Sequence, residues 1–259
     1  MSWKIVSTGR GGTGKTTFTA LITRYLSPPL LLIDIDPDQN LADMLGIELE
    51  KQKVRTVSDA LYDIQMNTGY EELSSMPLPD KVSYLLQREC LYEGDNFDLV
   101  TLGAKWTEGC YCAPDDLLRA TIPSLAKNYT TVLMDSPAGL EHLNRKVISD
   151  IDDLFVLSDP SAKSVKHVKR IKNITREIKI IYRHFYVVGN YEFDSETEQY
   201  LRDSGETYLG KLDYDAQVKE YNLKGKSLLD LAEDSPACVS VRNILEKAGY
   251  KIEGVKVGG

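Results

Sequence analysis

The chain has 259 residues, of which 42% are hydrophobic and 27% are charged, a balance that is typical of a globular protein and argues against intrinsic disorder. Its net charge of -8 argues against a nucleic-acid-binding protein held by phosphate neutralisation. Since the N-terminus lacks a signal-peptide apolar region and the longest apolar run is too short to span a bilayer, we predict a cytoplasmic protein without membrane or nucleic-acid partners.

Short apolar segments predict the strands of a mainly parallel β-sheet. They alternate with helix-like segments, a pattern typical of βαβ units whose sheet is covered by helices on both faces. We therefore predict an α/β fold in a single domain spanning residues 1–259. The predicted strands are Trp3–Thr8, Leu30–Asp36, Phe97–Gly103, Thr130–Asp135, Asp153–Asp159 and Phe185–Asn190.

Two polar segments complete the prediction of secondary structure. The region from Glu50 to Asn96 is polar and helix-like, and SSMPLPD (74–80) within it predicts a loop. The basic run KSVKHVKRIK (163–172) predicts the solvated face of a helix rather than a binding surface.

The segment GRGGTGKTT (Gly9–Thr17) follows the first predicted strand and begins a helix. It satisfies G-x-x-x-x-G-K-[ST], and its strand–loop–helix context is the one that this phosphate-binding motif requires. In such loops the backbone N–H groups converge on phosphate oxygens, the lysine meets the β- and γ-phosphates, and the following hydroxyl ligates Mg²⁺. The predicted residues are Gly11, Gly12, Thr13, Gly14, Lys15 and Thr16.

Polar residues end three further predicted strands, where ligands bind in sheets of this kind. Asp34 and Asp36 lie at the end of one strand, and a carboxylate there would orient or deprotonate an attacking water or hold Mg²⁺ through water. The alternative for Asp36 is a solvated turn carboxylate. Asp135 ends a strand where a Walker-B-type carboxylate would lie near the metal, and Gly139 behind it offers a hinge near the γ-phosphate. Asn190 ends another strand, and its amide would pair with a base edge.

The chain has four cysteines, and two of them, Cys110 and Cys112, are separated by one residue in GCYC. The surrounding EGCYCAPDD is rich in Gly, Pro and Asp, which predicts a loop, although two small core residues on one strand face are the alternative. Thiolates favour Zn²⁺, Cu(I) or iron–sulfur iron and also hold Ni²⁺. Two thiols near a twofold axis become a closed Cys₄ site when two copies meet. Cys90 and Cys238 are predicted to be structural.

These motifs resemble those of the deviant Walker A ATPases, the group that includes the MinD and ParA proteins and the nitrogenase iron protein. Within that group the chain is most similar to the CooC-type nickel-insertion ATPases, which mature carbon monoxide dehydrogenase. The likeness runs from about residue 3 to residue 246, and the related accessory ATPase of acetyl-CoA synthase shares its motifs. The stretches that carry it are GCYC with its central Tyr, VLMDSPAGLEHLNR (Val132–Arg145) and LDYDAQVKEYNLKG (Leu212–Gly225).

The resemblance implies a P-loop NTPase fold, ATP hydrolysis with Mg²⁺, and a homodimer whose subunits close face to face over ATP or ADP. It also implies delivery of Ni²⁺ to apo carbon monoxide dehydrogenase or acetyl-CoA synthase. The residues that it assigns are Lys15, Thr16 and Thr17 for phosphate and Mg²⁺, Asp36 for the attacking water, Asp135 for the outer sphere of the metal, Asn190 and Asp215 for the nucleotide, and Cys110 and Cys112 for Ni²⁺ or Zn²⁺.

Three positions depart from the family pattern. Arg10 replaces the signature lysine that reaches the partner's nucleotide, and it would act as a catalytic arginine finger in trans or leave hydrolysis slow. Tyr191 replaces the lysine after Asn190, which puts base specificity in question. Asp213 replaces a proline in the late nucleotide-contacting loop.

Two other functions remain alternatives. An electron-transfer ATPase like the nitrogenase iron protein would hold an iron–sulfur cluster across its dimer, but AGLEHLNRKV lacks the second cysteine of that protein. His142 in this stretch is an extra ligand, a relay or a packed histidine. A positioning ATPase like MinD or ParA would need a basic amphipathic C-terminal helix for membrane recruitment, and the tail SVRNILEKAGYKIEGVKVGG is short of basic charge.

Overall fold

The computed structural model describes residues 2–66, 75–104, 112–138, 150–203 and 205–252. In this part of the chain eight strands form one sheet. They are β1 Trp3–Gly9, β2 Leu30–Asp34, β3 Leu91–Glu93, β4 Asp98–Thr101, β5 Thr131–Asp135, β6 Asp150–Ser158, β7 Ile181–Gly189 and β8 Thr207–Lys211. Their order is β3-β4-β2-β5-β1-β6-β7-β8, and every neighbouring pair is parallel except β3 with β4.

The described ranges also contain nine α-helices. They are α1 Lys15–Thr23, α2 Asn40–Met44, α3 Val57–Met66, α4 Leu78–Glu89, α5 Cys112–Leu125, α6 Ala162–Glu177, α7 Ser195–Asp203, α8 Ala216–Lys224 and α9 Pro236–Lys247. None of the helices in the described ranges is long and apolar enough to cross a membrane.

Neighbouring strand residues point to opposite sides of the sheet, so apolar residues along a strand give the sheet two apolar faces. Helices cover both of these faces. Ile5 and Val6 of β1 illustrate the alternation: both are buried, but they belong to different hydrophobic clusters. The cluster of Val6 includes side chains of α3 to α7, whereas that of Ile5 includes side chains of α1, α2 and α9. The predicted mainly parallel sheet with helices on both faces is therefore confirmed.

All six predicted strands are present, but two of them end two residues early, since β4 stops at Thr101 rather than Gly103 and β2 stops at Asp34. β6 and β7 begin three and four residues earlier than predicted. The strand predicted as Leu30–Asp36 stops at Asp34, because the Asp34 carboxylate accepts the N–H of Asp36 at 2.9 Å and turns the chain out of the sheet. Two strands were not predicted. β3 is only three residues long, and β8 contains a glycine with φ +138° at Gly210.

Two predicted loops are wrong in part, and both contain proline near a helix start. The loop at 74–80 gives way to α4 at Leu78, and EGCYCAPDD gives way to α5 at Cys112. Proline is tolerated in the first turn of a helix, where the missing N–H would have no intrahelical partner. The basic run lies on α6 as predicted, since Lys163, Lys166 and Lys169 are exposed while Val165, Val168 and Ile171 are buried.

Candidate nucleotide-binding site

The Gly9–Thr17 loop connects β1 to α1 and requires glycine at its first position. A Cβ on Gly9 would lie 2.4 Å from the carbonyl oxygen of Leu157 on neighbouring β6, so the close approach of the two backbones excludes a side chain. Within the loop, the Thr13 hydroxyl donates to the Arg10 carbonyl oxygen at 2.8 Å. Gly14 precedes α1 with φ 88°, and no side chain caps the helix there. The first N–H groups of α1 are therefore left for an anion such as a phosphate.

Lys15, the first residue of α1, is folded back over this loop. Its side chain is buried, and its ammonium donates to the Arg10 carbonyl oxygen at 3.2 Å. Burial lowers the pKa of Lys15, and the carboxylates of Asp135 and Asp36 oppose that shift. The ammonium thus lies where the loop N–H groups and two carboxylates meet, which is the position expected of the phosphate-binding lysine.

Asp135 lies in a row across three strands. It is the register partner of Ser7 on β1 and of Asp34 on β2, so the three side chains stand side by side. Its Oδ1 accepts hydrogen bonds from the Ser7 hydroxyl at 3.1 Å and the Thr19 hydroxyl at 3.0 Å. Its Oδ2 is buried and has no hydrogen-bond partner in the described part of the chain. A buried carboxylate oxygen without a donor suits a cation or the water bound to one.

Burial raises the pKa of Asp135 to about 6. The hydroxyls of Thr16 and Thr19 and the charge of Lys15 act in the opposite direction by favouring the ionised carboxylate. The Thr16 hydroxyl is thus close enough to affect the carboxylate, although it does not make a hydrogen bond of ordinary geometry to Oδ2. Without a cation, the charged form of Asp135 is therefore an unfavourable feature of the folded chain.

The two acidic residues after β2 have different environments. Asp34 is fully buried and accepts the N–H groups of Asp36 at 2.9 Å and Leu41 at 3.2 Å, so it holds the turn that leads into α2. Burial and the neighbouring Asp135 raise its pKa well above the usual value. Asp36 is partly exposed and accepts the N–H of Asp38 at 3.1 Å. Of the two, Asp36 is the carboxylate that water can reach.

Arg10 extends from the phosphate loop toward the residues that follow β6. Its Nη1 lies 3.4 Å from Asp159 Oδ2 and 3.3 Å from the Ser161 hydroxyl, and its side chain is 37% exposed. Burial opposes ionisation of Asp159, but hydrogen bonds from Ser161 and Ser164 and the Arg10 charge hold its pKa below the usual value. The arginine is therefore engaged within its own chain, so the predicted role in trans would require this contact to open.

A pocket of about 460 Å³ adjoins the phosphate loop and is lined on its other side by the segments that follow β7 and β8. It brings together residues that are far apart in the sequence and that were predicted to bind nucleotide. Among the residues that line it are Gly12, Thr13, Gly14, Thr17, Asn190, Tyr191, Asp213, Tyr214 and Asp215.

Two predicted nucleotide contacts use their side chains for other bonds. The Asn190 amide donates to Glu192 Oε2 at 3.1 Å and accepts the Glu192 N–H at 3.1 Å, so pairing with a base requires exchange of the Glu192 carboxylate. The Asp215 carboxylate caps α8 through the Gln217 N–H at 2.9 Å and also accepts the Ala237 N–H at 3.3 Å. Both oxygens of Asp215 are thus bound within the fold, which leaves its backbone to face a nucleotide.

Sequence reasoning missed a pair of tyrosines at the mouth of this pocket. Tyr191 and Tyr214 are 53% and 60% exposed, and their ring centroids lie 5.6 Å apart in an edge-to-face arrangement. The sequence pattern marks Tyr191 only as the replacement of a lysine, and Tyr214 only as part of the Leu212–Gly225 stretch. The available signal was an aromatic residue shortly after two strands, at the edge of the sheet where ligands bind.

The structure contains only part of the predicted metal site. Cys110, His142 and Gly139 lie outside the described residues, and the backbone of Cys112 begins α5. Within the described ranges, no group of three or more His, Cys, Asp or Glu side chains could hold a metal ion. The predicted structural cysteines are buried, and burial raises the pKa of Cys90 to about 12.

The loop, the buried carboxylate at the end of β5 and the adjoining pocket define a P-loop nucleotide-binding protein. The chain belongs to the family described as the CobQ/CobB/MinD/ParA nucleotide binding domain, whose model matches residues 4–229.

Individual relatives agree with this assignment. The chain is 36% identical over 251 residues to an ATP-binding protein of Methanocaldococcus jannaschii, with 94% of this chain and 97% of the relative covered. It is 27% identical over 245 residues to the carbon monoxide dehydrogenase accessory protein CooC of Rhodospirillum rubrum, with 91% of each chain covered. Its fold is similar to that of the septum site-determining protein MinD from Pyrococcus horikoshii complexed with Mg-ADP, with a TM-score of 0.67, 19% identity and 96% of each chain covered.

The raised pKa of Asp135 predicts a pH-dependent stability for the protein without nucleotide or Mg²⁺. The folded state binds the Asp135 proton more tightly than the unfolded state, whose pKa is near 3.8, so stability should fall as the pH rises through 6. Between pH 5 and pH 8 we expect this residue to lower the free energy of unfolding by about 1 kcal/mol. Urea denaturation at several pH values should show that the free energy of unfolding declines less steeply with pH in Asp135→Asn than in the wild type. Parallel profiles for the two proteins would contradict the assignment.

The tyrosine pair predicts a loss of nucleotide affinity on truncation. Stacking of a base on an aromatic side chain contributes about 1–3 kcal/mol, so Tyr191→Ala should weaken Mg-ADP binding by about tenfold in calorimetry. Tyr200 on α7 is the matched control, because it is 55% exposed but does not line the pocket. Equal affinities for Tyr191→Ala and Tyr200→Ala would show that the tyrosine does not contact the base.

Proposed function

We propose that the chain is a Mg-ATP-dependent, dimerising ATPase that binds a transition metal through Cys110 and Cys112 and assists nickel insertion into carbon monoxide dehydrogenase or acetyl-CoA synthase. The ATPase part rests on one observation, the unpartnered Oδ2 of Asp135 beside Thr16 and Lys15. The metal-delivery part is supported by the C-x-C motif together with the likeness to CooC over 91% of each chain. The proposal treats residues 1–259 as one ATPase domain, in keeping with the single sheet.

The residues around Asp135 fit Mg²⁺. Thr16 would ligate the ion, and Asp135 would hold one of its waters through the buried Oδ2. When bound, the ion would supply neutralising charge to the β- and γ-phosphates. Lys15 and the first N–H groups of α1 would bind the same phosphates from the other side, and Asp36 would orient the attacking water or take its proton.

Arg10 would connect hydrolysis to dimerisation. In the single subunit its guanidinium contacts Asp159 and Ser161, and the Arg10–Asp159 pair is partly exposed, so the contact contributes little to stability and can open at low cost. Once released, Arg10 would reach the phosphates in the partner subunit, where a planar fork binds two oxygens at once. A subunit that keeps the contact closed would hydrolyse ATP slowly.

Dimerisation would also complete the metal site. Two thiols per subunit are half of a tetrahedral ligand set, and a twofold axis beside them would supply the other half. Ni²⁺ or Zn²⁺ held in this way is cargo, and its uptake or release would follow the nucleotide-dependent meeting of two subunits. The clients would be the apo forms of the two nickel enzymes.

The cysteine assignment predicts a separation of metal binding from nucleotide binding. The double variant Cys110→Ser with Cys112→Ser should lose Ni²⁺ and Zn²⁺ while it binds Mg-ADP as the wild type does, because the phosphate loop is a separate element. Wild type should hold about one metal ion per two chains, since two ligand pairs make one tetrahedral site. Metal analysis of gel-filtered protein with and without Mg-ATP measures the retained metal and the number of ions per chain. Calorimetry with Mg-ADP measures the nucleotide affinity.

Cys90→Ala and Cys238→Ala are the matched controls, because each removes a thiol from the core and leaves the C-x-C motif intact. Both should retain the metal. Full metal affinity in the double serine variant would contradict the assignment, and iron with labile sulfide in anaerobically purified wild type would replace it with the electron-transfer alternative.

A further inference from the structure

A second pocket, of about 400 Å³, lies at the opposite end of the strands from the nucleotide pocket. It is formed where β1 and β5 begin, beside the segments that follow α1 and α9. Because β1 runs for seven residues from Trp3 in this pocket to Gly9 at the phosphate loop, the two pockets are roughly 20 Å apart. The second pocket therefore belongs to neither the phosphate site nor the base site.

A buried carboxylate forms the inner end of this pocket. Asp153 on β6 has a side chain that is 2% exposed, and its Oδ1 lies 2.7 Å from Nδ1 of His184, its register partner on β7. Its Oδ2 accepts hydrogen bonds from Trp3 Nε1 at 2.8 Å and from the Tyr250 hydroxyl. Both oxygens of the carboxylate are thus engaged, and residues from two neighbouring strands, β1 and β7, and from the segment after α9 converge on it.

These contacts fix the orientation of His184. Its Nδ1 is held by Asp153 and its ring stacks on Tyr186 at 5.6 Å, yet the side chain remains 49% exposed and lines the pocket. Nε2 is therefore the ring nitrogen left to meet a ligand. A buried charge is costly unless it is paired, which accounts for the full set of partners around Asp153. In ligand-binding histidines, a carboxylate commonly holds one imidazole nitrogen while the other stays accessible.

The rest of the pocket surface indicates the class of ligand. Lys251 supplies an ammonium at the rim and Thr131 a hydroxyl, whereas the Asp153 carboxylate is saturated by its own donors. Trp3 and Tyr25 supply aromatic walls. The polar groups that face the space thus favour an anion, and the walls favour a flat apolar body.

We propose that this pocket binds a small organic carboxylate with a planar apolar body. The imidazolium form of His184 donates from Nδ1 to Asp153 and from Nε2 to the carboxylate of the ligand, while Lys251 supplies a second cation. The ring of the ligand lies against Trp3 and Tyr25. The site does not depend on the proposed metal delivery or on the nucleotide.

Nuclear magnetic resonance of the full chain with labelled histidine side chains tests this directly. The chain has three histidines, so the His184 signals can be assigned by their loss in His184→Gln. Benzoate is the probe, and benzamide is the neutral probe of the same shape. We expect benzoate to shift the His184 signals saturably with a dissociation constant of about 1 mM, as suits a ligand of roughly nine heavy atoms, and benzamide to bind at least about tenfold more weakly.

Lys251→Met keeps the buried network intact and should weaken benzoate binding at least about threefold. Lys224→Met is its matched control, because Lys224 is an exposed lysine on α8 that does not line the pocket, and it should bind benzoate as the wild type does. The proposal is overturned if the His184 signals show no saturable shift up to about 20 mM benzoate. Equal binding of benzamide, or equal binding by the two lysine variants, overturns it as well.

Discussion

The candidate nucleotide site is organised around the buried carboxylate of Asp135. The residue ends the central strand β5, and Ser7 and Thr19 hold one of its oxygens while the other has no donor among the described residues. This arrangement raises the free energy of the ionised form in the empty protein. Because a divalent cation would remove that cost, ion binding and phosphate binding would support each other at one place, and the proposed roles of the neighbouring side chains follow from it.

Lys15 and Asp34 are both neighbours of the Asp135 carboxylate, which affects the pKa of each in the same direction but for different roles. Lys15 is kept inside by the loop and by the carboxylates of Asp135 and Asp36, although burial lowers its pKa. Asp34 accepts two backbone N–H groups and holds the turn that carries Asp36. The turn thus separates two functions that the sequence places side by side: one aspartate stabilises the backbone, and the other is accessible to water.

The strands also connect two chemically different ends of the molecule. β6 begins near the Asp153–His184 pair and ends just before Asp159, which contacts Arg10. At the carboxyl edge of the sheet, the Asp135 carboxylate lacks a full set of hydrogen-bond donors and suits a cation. At the amino edge, the Asp153 carboxylate has a full set of donors and orients His184. Parallel sheets commonly use the carboxyl edge for ligands, so a built polar site at the amino edge is an additional feature of this chain.

Much of the fold was predictable, because the buried strands form apolar runs that alternate with helices, and the phosphate loop has a motif with a defined structural context. The end of β2 was not, since it depends on the Asp34 side chain bonding to the backbone two residues ahead. The engagement of Asn190 and Asp215, the cis contact of Arg10 and the Asp153–His184 pair arise from residues far apart in sequence. Local periodicity carries no information about such pairs.

The dependence of ADP affinity on Mg²⁺, measured by calorimetry in wild type and Asp135→Asn, tests the central role of Asp135 most directly. Wild type should bind ADP at least about tenfold more tightly with Mg²⁺ than with chelator, because the unpartnered oxygen would hold the hydrated ion. The variant should bind ADP in chelator about as well as wild type and gain little from Mg²⁺. An equal gain from Mg²⁺ in both proteins would contradict the assignment of Asp135 to the ion.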